Sequence, residues 1–231
     1  MAAQSIASRP RRQQTEPDDA VLARALQFSE WARRNMVIVV VSAVAIVVLV
    51  GGLLWYRADQ ARQLEEAAIA FLQVEQAVMS GNESLAAQEL QLFIQRHGGT
   101  PYSEEARVLL GQVFVRGDRA AEAVEVLEPV ASELNSSPVG VQAALLQAAA
   151  YQAAGDTQAA IETYLEVGEE AEEQFRREEG LVGAALLMQE EGNWAGAAEL
   201  YARLVEMSEP GSMNRSMFEM RLAEAEARAE Q

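Results

Sequence analysis

The stretch AALLQAAAYQAAGDTQAAIETYLEVG, residues 143–168, holds two runs of helical spacing on either side of one Gly-Asp pair. Before the pair, Leu145 and Ala148 lie three residues apart, and after it Ile161 and Leu165 lie four apart. Both spacings place apolar residues on one face of a helix. The glycine can adopt the positive φ at which helices commonly end, and the aspartate can cap the next helix. The stretch therefore predicts two helices joined by a tight turn.

The same turn recurs along the chain. Four dipeptides of Gly followed by Asp or Asn have glycines separated by 36, 38 and 37 residues, and these dipeptides are Gly81-Asn82, Gly117-Asp118, Gly155-Asp156 and Gly192-Asn193. A near-constant period between about 20 and 50 residues is typical of a solenoid. Other turn signals separate one helix pair from the next, with Thr100 and Ser137 as expected N-caps before a proline. These signals are Gly98–Pro101, Ser136–Pro138, the region of Gly180, and Pro210-Gly211.

At equivalent places in the four units, the second helix carries a small residue followed one turn later by a large one. The small residues are Ala86, Ala123, Ala160 and Ala197, and the large ones are Leu90, Leu127, Tyr164 and Tyr201. In the later three units the first helix carries Gly111, Ala148 and Ala185 at its small position. With these residues the chain resembles the tetratricopeptide repeat family. The resemblance covers roughly residues 61–208 and implies an all-α superhelix of about four helix pairs, with residues 213–230 as a closing helix.

The repeats also depart from the family pattern. One extra residue follows the turn of the second repeat, and large residues occupy the second small position of the second helices. These large residues are Phe93, Val130, Val167 and Leu204. Pro129 falls inside the second helix of the second repeat, where we expect it to kink or end the helix.

The run MVIVVVSAVAIVVLVGGLLWY, Met36–Tyr56, carries no charged residue and has the length of about 20 residues that crosses a bilayer. A cleaved signal peptide is the alternative, but its apolar region is usually about 7 to 15 residues long and ends at a small-residue site. The one Ala-x-Ala here, Ala43–Ala45, lies in the middle of the run. We therefore expect an uncleaved transmembrane helix over residues 36–56.

The charges on either side of this run indicate its direction. Residues 1–35 hold six Arg and four acidic residues, a net +2, and Arg33 and Arg34 adjoin the run directly. The positive-inside rule then predicts a cytoplasmic N-terminus. We expect residues 1–35 to be a cytoplasmic tail with a short amphipathic helix from Pro17, which either lies in the membrane interface or continues the transmembrane helix inward. We expect residues 57–231 to be a periplasmic repeat domain in the bacterial inner (plasma) membrane. Trp31 and Trp55 would lie at the two headgroup layers.

Residues 57–231 hold twelve Arg and thirty-one acidic residues, a net −19, which disfavours nucleic acid as a partner. The chain has no Cys, and its only histidine, His97, lies at a predicted helix end. No phosphate-binding loop, dinucleotide fingerprint or zinc-protease motif occurs. The paired glutamates, such as Glu169-Glu170, are interpreted as a solvated acidic face. We expect no catalytic or metal residues, no cofactor and no small-molecule substrate, although carboxylate catalysis stays open as an alternative.

Two surfaces are candidates for binding a protein. The repeat family places its groove on the first helix of each pair, which here selects Gln112, Val115, Arg116, Leu145, Gln152, Gln189 and Glu190. Amides mixed with aliphatic side chains suit a bound peptide or helix. Met213, Met217 and Met220 form a second candidate, a methionine stripe on the last helix. We favour the interpretation that this helix caps the last repeat and hides the stripe.

The Arg-flanked anchor followed by an acidic repeat domain resembles the bacterial family of ancillary SecYEG translocon subunits. That resemblance implies a scaffold that assists protein export or periplasmic chaperoning, with translocon subunits and a periplasmic chaperone as partners. The alternative is an adaptor for another envelope assembly, in cell-wall or outer-membrane biogenesis. Both functions require protein binding and no enzymatic activity.

Overall fold

A computed structural model of the chain describes residues 33–231. Within this part the chain is all-α and forms nine helices, each followed by a short turn. The helices are α1 (Met36–Met79), α2 (Glu83–His97), α3 (Pro101–Arg116), α4 (Ala120–Ala131), α5 (Gly140–Ala154), α6 (Thr157–Glu170), α7 (Gln174–Glu190), α8 (Trp194–Met207) and α9 (Met213–Ala229). The expected cytoplasmic tail, its short helix from Pro17, and Trp31 lie outside the described residues.

Helix α1 is long and apolar enough to cross a membrane. It has 44 residues, and its most apolar window has a mean hydropathy of 3.1 with none of its residues buried. It extends well beyond the predicted span of 36–56, because the residues after Tyr56 are strong helix formers such as Ala, Gln, Leu and Glu. The residues of α1 from Ala61 onward form one compact unit with α2–α9, and residues 33–60 belong to a separate unit.

Three of the four predicted turns have the expected capping geometry. The side chains of Asn82, Asp156 and Asn193 accept hydrogen bonds from backbone N–H groups three residues later, at 3.0–3.1 Å. The glycine before each cap has a φ between +75° and +85°. These bonds satisfy N–H groups that the first turn of a helix leaves without a partner.

The second turn differs from the other three. Here Asp118 takes the positive φ of +56° in place of the glycine, and Arg119 precedes α4 without a capping side chain. The one extra residue of the second repeat lies at this turn. Helix α4 then ends two residues after Pro129, in agreement with the expectation that this proline shortens the helix.

The small residues lie at the helix crossings. Ala86, Ala123, Ala160 and Ala197 are all buried, with at most 1% of their surface exposed. On the first helices, a Cβ placed on Gly111 would lie 2.8 Å from the side chain of Leu127. The predicted repeat register is therefore confirmed by the packing, because only small residues fit at these contacts.

The predicted stop near Gly180 is wrong. Gly180 lies inside α7, and a Cβ there would come within 2.6 Å of the backbone N of Gly168 and the carbonyl of Tyr164 on α6. The glycine thus marks a close crossing of two helix backbones, and the chain instead breaks at residues 171–173. The expected N-cap at Ser137 is also wrong, because α5 begins only at Gly140. Thr100 and Pro101 do begin α3 as predicted.

Two groups of buried side chains form the core of the repeat unit. One joins the end of α1 to α2–α6, and Phe71 lies at its start with its ring 5.6 Å from Phe93 and 5.5 Å from Tyr102. The other joins α6–α9, with Tyr201 nearly fully buried. Helix α9 closes this second group through Phe218 and other apolar side chains, as expected for a terminal helix.

Candidate partner-binding surface

The first helices of the first three repeats enclose a groove on one side of the repeat unit. It contains a cavity of about 220 Å³ lined only by α1, α3, α5 and the residue before α5. The lining residues are Phe71, Glu75, Glu105, Val108, Leu109, Gln112, Val139 and Gln142. Aliphatic side chains form its floor, and carboxylates and amides form its edges. This composition suits a polypeptide segment with apolar anchors and polar or basic flanks.

A second cavity, of about 400 Å³, lies where α5 and α7 begin. Its lining is residues 134–138, Val141, Gln142, Glu172, Glu173, Phe175 and Arg176. Phe175 is 61% exposed, and the guanidinium of Arg176 lies 5.0 Å from the centre of its ring. An exposed aromatic ring held beside a cleft is typical of residues that dominate binding energy at interfaces.

Gln142 lines both cavities, so they lie next to each other on the surface of the repeat unit. We call the residues that line the two cavities the first-helix track. The track crosses α1, α3 and α5 and ends at the start of α7.

Hydrogen bonds from two side chains to the backbone fix the α7 end of the track. Asn135 donates to the carbonyl of Glu170 at 2.7 Å and accepts from the N–H of Glu172 at 3.3 Å. Arg177 donates to the carbonyls of Ala171 and Glu172 at 2.7 and 2.9 Å. The two bonds of Asn135 join the loop before α5 to the break before α7, and the two bonds of Arg177 hold that break against the first turn of α7. Because the loop and the break are held together, a partner would find the cleft already formed.

The track is acidic. Four glutamates line it, at positions 75, 105, 172 and 173, against the single guanidinium of Arg176. Arg176 also pairs with Glu179 at 2.9 Å, so part of its charge is already compensated. A bound segment is therefore expected to carry Lys or Arg beside its apolar residues.

The predicted groove residues are distributed over three first helices. Gln112 lines the track, Arg116 lies in a smaller cavity beside the turn after α1, and the half-buried Val115 and Leu145 pack against the core. Gln152 and Glu190 are exposed at the ends of α5 and α7, and Gln189 accepts a hydrogen bond from the Tyr201 hydroxyl at 3.2 Å. Of the predicted groove residues, Gln112 alone lines a cavity of the track.

A third cleft, of about 290 Å³, lies among α4, α5 and α6, and Glu128, Glu162 and Glu166 line it. Glu166 is exposed at this cleft, but partial desolvation there raises the pKa of its carboxyl, and the neighbouring carboxylates of Glu170 and Glu128 raise it further. The buried Gln147 donates to Glu128 at 2.6 Å. Across residues 33–231, no three acidic or histidine side chains are grouped so that they could hold a metal ion.

The methionine stripe on α9 is open to solvent. Met213, Met217 and Met220 are exposed, while Phe218 on another face of the helix is buried against the last repeat. Our favoured interpretation was therefore half right, because the helix caps the repeats but does not hide its methionines. Residues 213, 217 and 220 share one face of α9. Phe218 lies about 100° further around the helix axis from Met217, on the face that packs against the last repeat.

Most residues of the track do not follow from the sequence pattern, for two reasons. The repeat pattern predicts the groove only from the second repeat onward, which leaves out Phe71 and Glu75. It also predicts the break between repeats three and four near Gly180, which leaves out Phe175. The run Ala171–Glu173, with its acidic residues before an exposed aromatic residue, was the available signal.

Comparison with known proteins supports this architecture. The family model described as a tetratricopeptide repeat-like domain matches residues 29–227. The crystal structure of a tetratricopeptide repeat protein from Parabacteroides merdae superposes with a TM-score of 0.53 at 18% sequence identity. The superposition covers 73% of this chain and 62% of that one, so the chain spans less than two thirds of that protein. No curated protein matches the sequence significantly.

Proposed function

Because the chain belongs to the tetratricopeptide repeat-like family, whose domains mediate protein–protein binding, we propose that it is a membrane-anchored scaffold holding a protein partner on its first-helix track. The observation that carries this proposal is that the two cavities of the track lie next to each other. Two cavities that share Gln142 provide aliphatic floors, a carboxylate rim and the exposed ring of Phe175. The ligand is a polypeptide segment with apolar and basic side chains.

The anchor in this proposal is the N-terminal part of α1, which is uncharged from Met36 to Tyr56. Arg33 and Arg34 before it support a cytoplasmic N-terminus, by the positive-inside rule, with the repeat domain in the periplasm. The strongly acidic repeat domain has few Arg near the membrane on its own side, which supports the same direction. A cleaved signal sequence would release the domain and is the alternative outcome.

A reporter fused to the C-terminus tests this direction. An alkaline phosphatase fusion is expected to be active, because it requires an oxidising compartment outside the cytoplasm, and a fusion to a cytoplasm-dependent fluorescent protein is expected to be dark. The full-length mass of the membrane-bound chain distinguishes an anchor from a signal sequence. The reverse pattern of reporters would contradict the localisation.

The resemblance to ancillary translocon subunits refines the proposal. The partner would then be a subunit of the SecYEG translocon or a membrane-tethered periplasmic chaperone, and the scaffold would assist export or folding of secreted proteins. Support for this step comes from the layout of anchor and acidic repeats. An adaptor for cell-wall or outer-membrane assembly would use the same track with different partners.

Pull-down after crosslinking in intact membranes tests the partner. The wild-type chain is expected to recover translocon or chaperone components, and Phe175→Ala to recover about tenfold less, because truncating an aromatic residue that anchors a partner commonly costs about 1.4 kcal/mol or more of binding. Phe175 is exposed, so its replacement should leave the fold intact. Leu186→Ala is the matched control, since Leu186 is an exposed apolar residue of the same helix that lies outside the track.

Two results would count against the proposal. Equal recovery by wild type and Phe175→Ala would exclude the track as the binding surface. Recovery of cell-wall or outer-membrane assembly proteins alone would leave the scaffold but replace the translocon as its partner.

A further inference from the structure

The part of α1 that belongs to the repeat unit has two apolar faces. One face, with Phe71 and Val74, is buried against the core of the repeats. On the other side Ile69, Leu72 and Met79 are exposed by 58%, 60% and 77%. This second face contributes nothing to the core of the chain.

The exposed face has the spacing of a helix-pairing seam. Ile69, Leu72, Gln76 and Met79 are separated by three, four and three residues. This alternation brings side chains to one line on a helix and is the pattern by which two parallel helices pack together. Gln76, the one amide in this line, is compatible with helix pairing, since a single polar residue at an inner position can fix the register of paired helices.

The face is also uncharged, in a unit that is otherwise strongly acidic. Residues 67–82 contain one charged residue, Glu75, and its side chain lines the first-helix track. Residues 57–231 as a whole carry a net charge of −19. Two copies of such a unit repel each other wherever their acidic surfaces meet, so a neutral apolar face is where they can approach. Between Ile69 and Met79 the line itself holds no carboxylate, whereas Glu65 lies one turn before Ile69 and Glu75 lies beside the line.

We propose that α1 mediates a homodimer, in which the line Ile69-Leu72-Gln76-Met79 of one copy packs in parallel against the same line of a second copy. The parallel direction rests on the proposed function, because two copies anchored by the same segment enter the membrane in the same direction. Confinement to one membrane also raises their effective concentration. Each residue of the line then meets its own counterpart across a two-fold axis, as in most symmetric dimers.

This dimer leaves the first-helix track available. Glu75 and Phe71 contribute to the track from other faces of α1, whereas the pairing line lies on the side of the helix opposite Phe71 and Val74. One assembly would therefore offer two tracks to its partners.

Single-cysteine crosslinking of the full chain in native membranes tests the dimer, because the natural chain has no cysteine. With a copper-phenanthroline oxidant, Leu72→Cys and Met79→Cys are expected to give a disulfide-linked band of twice the chain mass. Met220→Cys is the matched control, since Met220 is 64% exposed on α9, and it should stay at the monomer mass. Leu72→Glu should convert the detergent-solubilised chain from dimer to monomer by light scattering, and Met220→Glu should not.

The proposal is overturned if Leu72→Cys crosslinks no more than Met220→Cys, or if its adduct contains another polypeptide. It is also overturned if Met220→Glu, and not Leu72→Glu, produces the monomer. The crosslink does not depend on which compartment holds the repeats or on which protein occupies the track. Failure of the partner pull-down would therefore leave the dimer result unchanged, and a monomeric chain would leave the pull-down result unchanged.

Discussion

Replacement of Ala160 by Leu is expected to destabilise the repeat unit by about 1 to 3 kcal/mol, the usual cost of overpacking a well-packed core. Ala160 is fully buried in the core group formed by α6–α9, at the small position of the third repeat. The leucine side chain, with its three added carbon atoms, must either adopt an unfavourable rotamer or push the neighbouring helices apart. For a unit of 171 residues, Ala61–Gln231, about 1 kcal/mol corresponds to about 2–4 °C, so the Tm should fall by roughly 2–12 °C.

The matched control is Gln158→Leu, two residues earlier on the same helix. Gln158 is exposed, and its side chain donates only to Glu162 at 2.7 Å, so its replacement should change the Tm by about 1 °C or less. Thermal unfolding of both full-length variants in detergent, followed by circular dichroism at 222 nm, measures the two effects. Equal shifts for Ala160→Leu and Gln158→Leu would refute the helix register.

Three further perturbations test the packing, the caps and the charges. Gly180→Ala should lower the Tm by more than Ala160→Leu does. The added Cβ would lie 2.6 Å from the backbone of Gly168, and backbone cannot rotate away as a side chain can. A Tm within 1 °C of wild type would show that α6 and α7 separate easily. Asn193→Ala should cost about 1 kcal/mol of unfolding free energy by denaturant titration, because it removes the cap on the N–H of Gly196, while Asn193→Asp should retain most of it. Glu166→Gln should raise the Tm at pH 7, because partial desolvation and two nearby carboxylates raise the pKa of Glu166 and make its ionised form unfavourable in the folded state. That gain should shrink as the pH falls through the raised pKa, where the wild-type carboxyl also becomes neutral, and a gain independent of pH would contradict the electrostatic explanation.

The sequence predicted the fold well because its signals are local and repeated. A glycine and a capping residue recur at a nearly constant interval, and small residues such as Ala123 and Ala197 occupy the crossings in each unit. Each of these signals depends on helix geometry that neighbouring residues alone determine. The structure confirms the all-α class, the four helix pairs and the closing helix.

The wrong prediction at Gly180 arose because glycine has two structural roles that look alike in a sequence. Gly155 ends a helix with a φ of +85°, whereas Gly180 lies in the middle of α7 to admit the backbone of α6. Only the position of the facing helix distinguishes the roles, and that is a tertiary contact. The early start assigned to α5 has a similar origin, since Ser137 is occupied by a bond to Glu104 of α3, 33 residues earlier.

The candidate site was harder to predict than the fold. Gln112 lines one of the cavities, but the residues that define the shape of the track come from four separate first helices and from the loops before α5 and α7. Phe175 becomes a candidate anchor only when α5 and α7 are placed side by side. Neither the cavity volumes nor the hydrogen bonds of Asn135 to residues 170 and 172 follow from periodicity.

The most direct test of the scaffold function is site-specific photocrosslinking from Gln142, the residue that lines both cavities of the first-helix track. A photoreactive amino acid at this position in the full-length chain, irradiated in intact cells, is expected to capture a discrete protein with an apolar and basic segment at the crosslinked site. The same amino acid at Glu199, an exposed residue of α8 away from the track, should capture little. Capture of the same proteins with equal yield at both positions, or of none at Gln142, would contradict the claim that the track is the partner-binding surface.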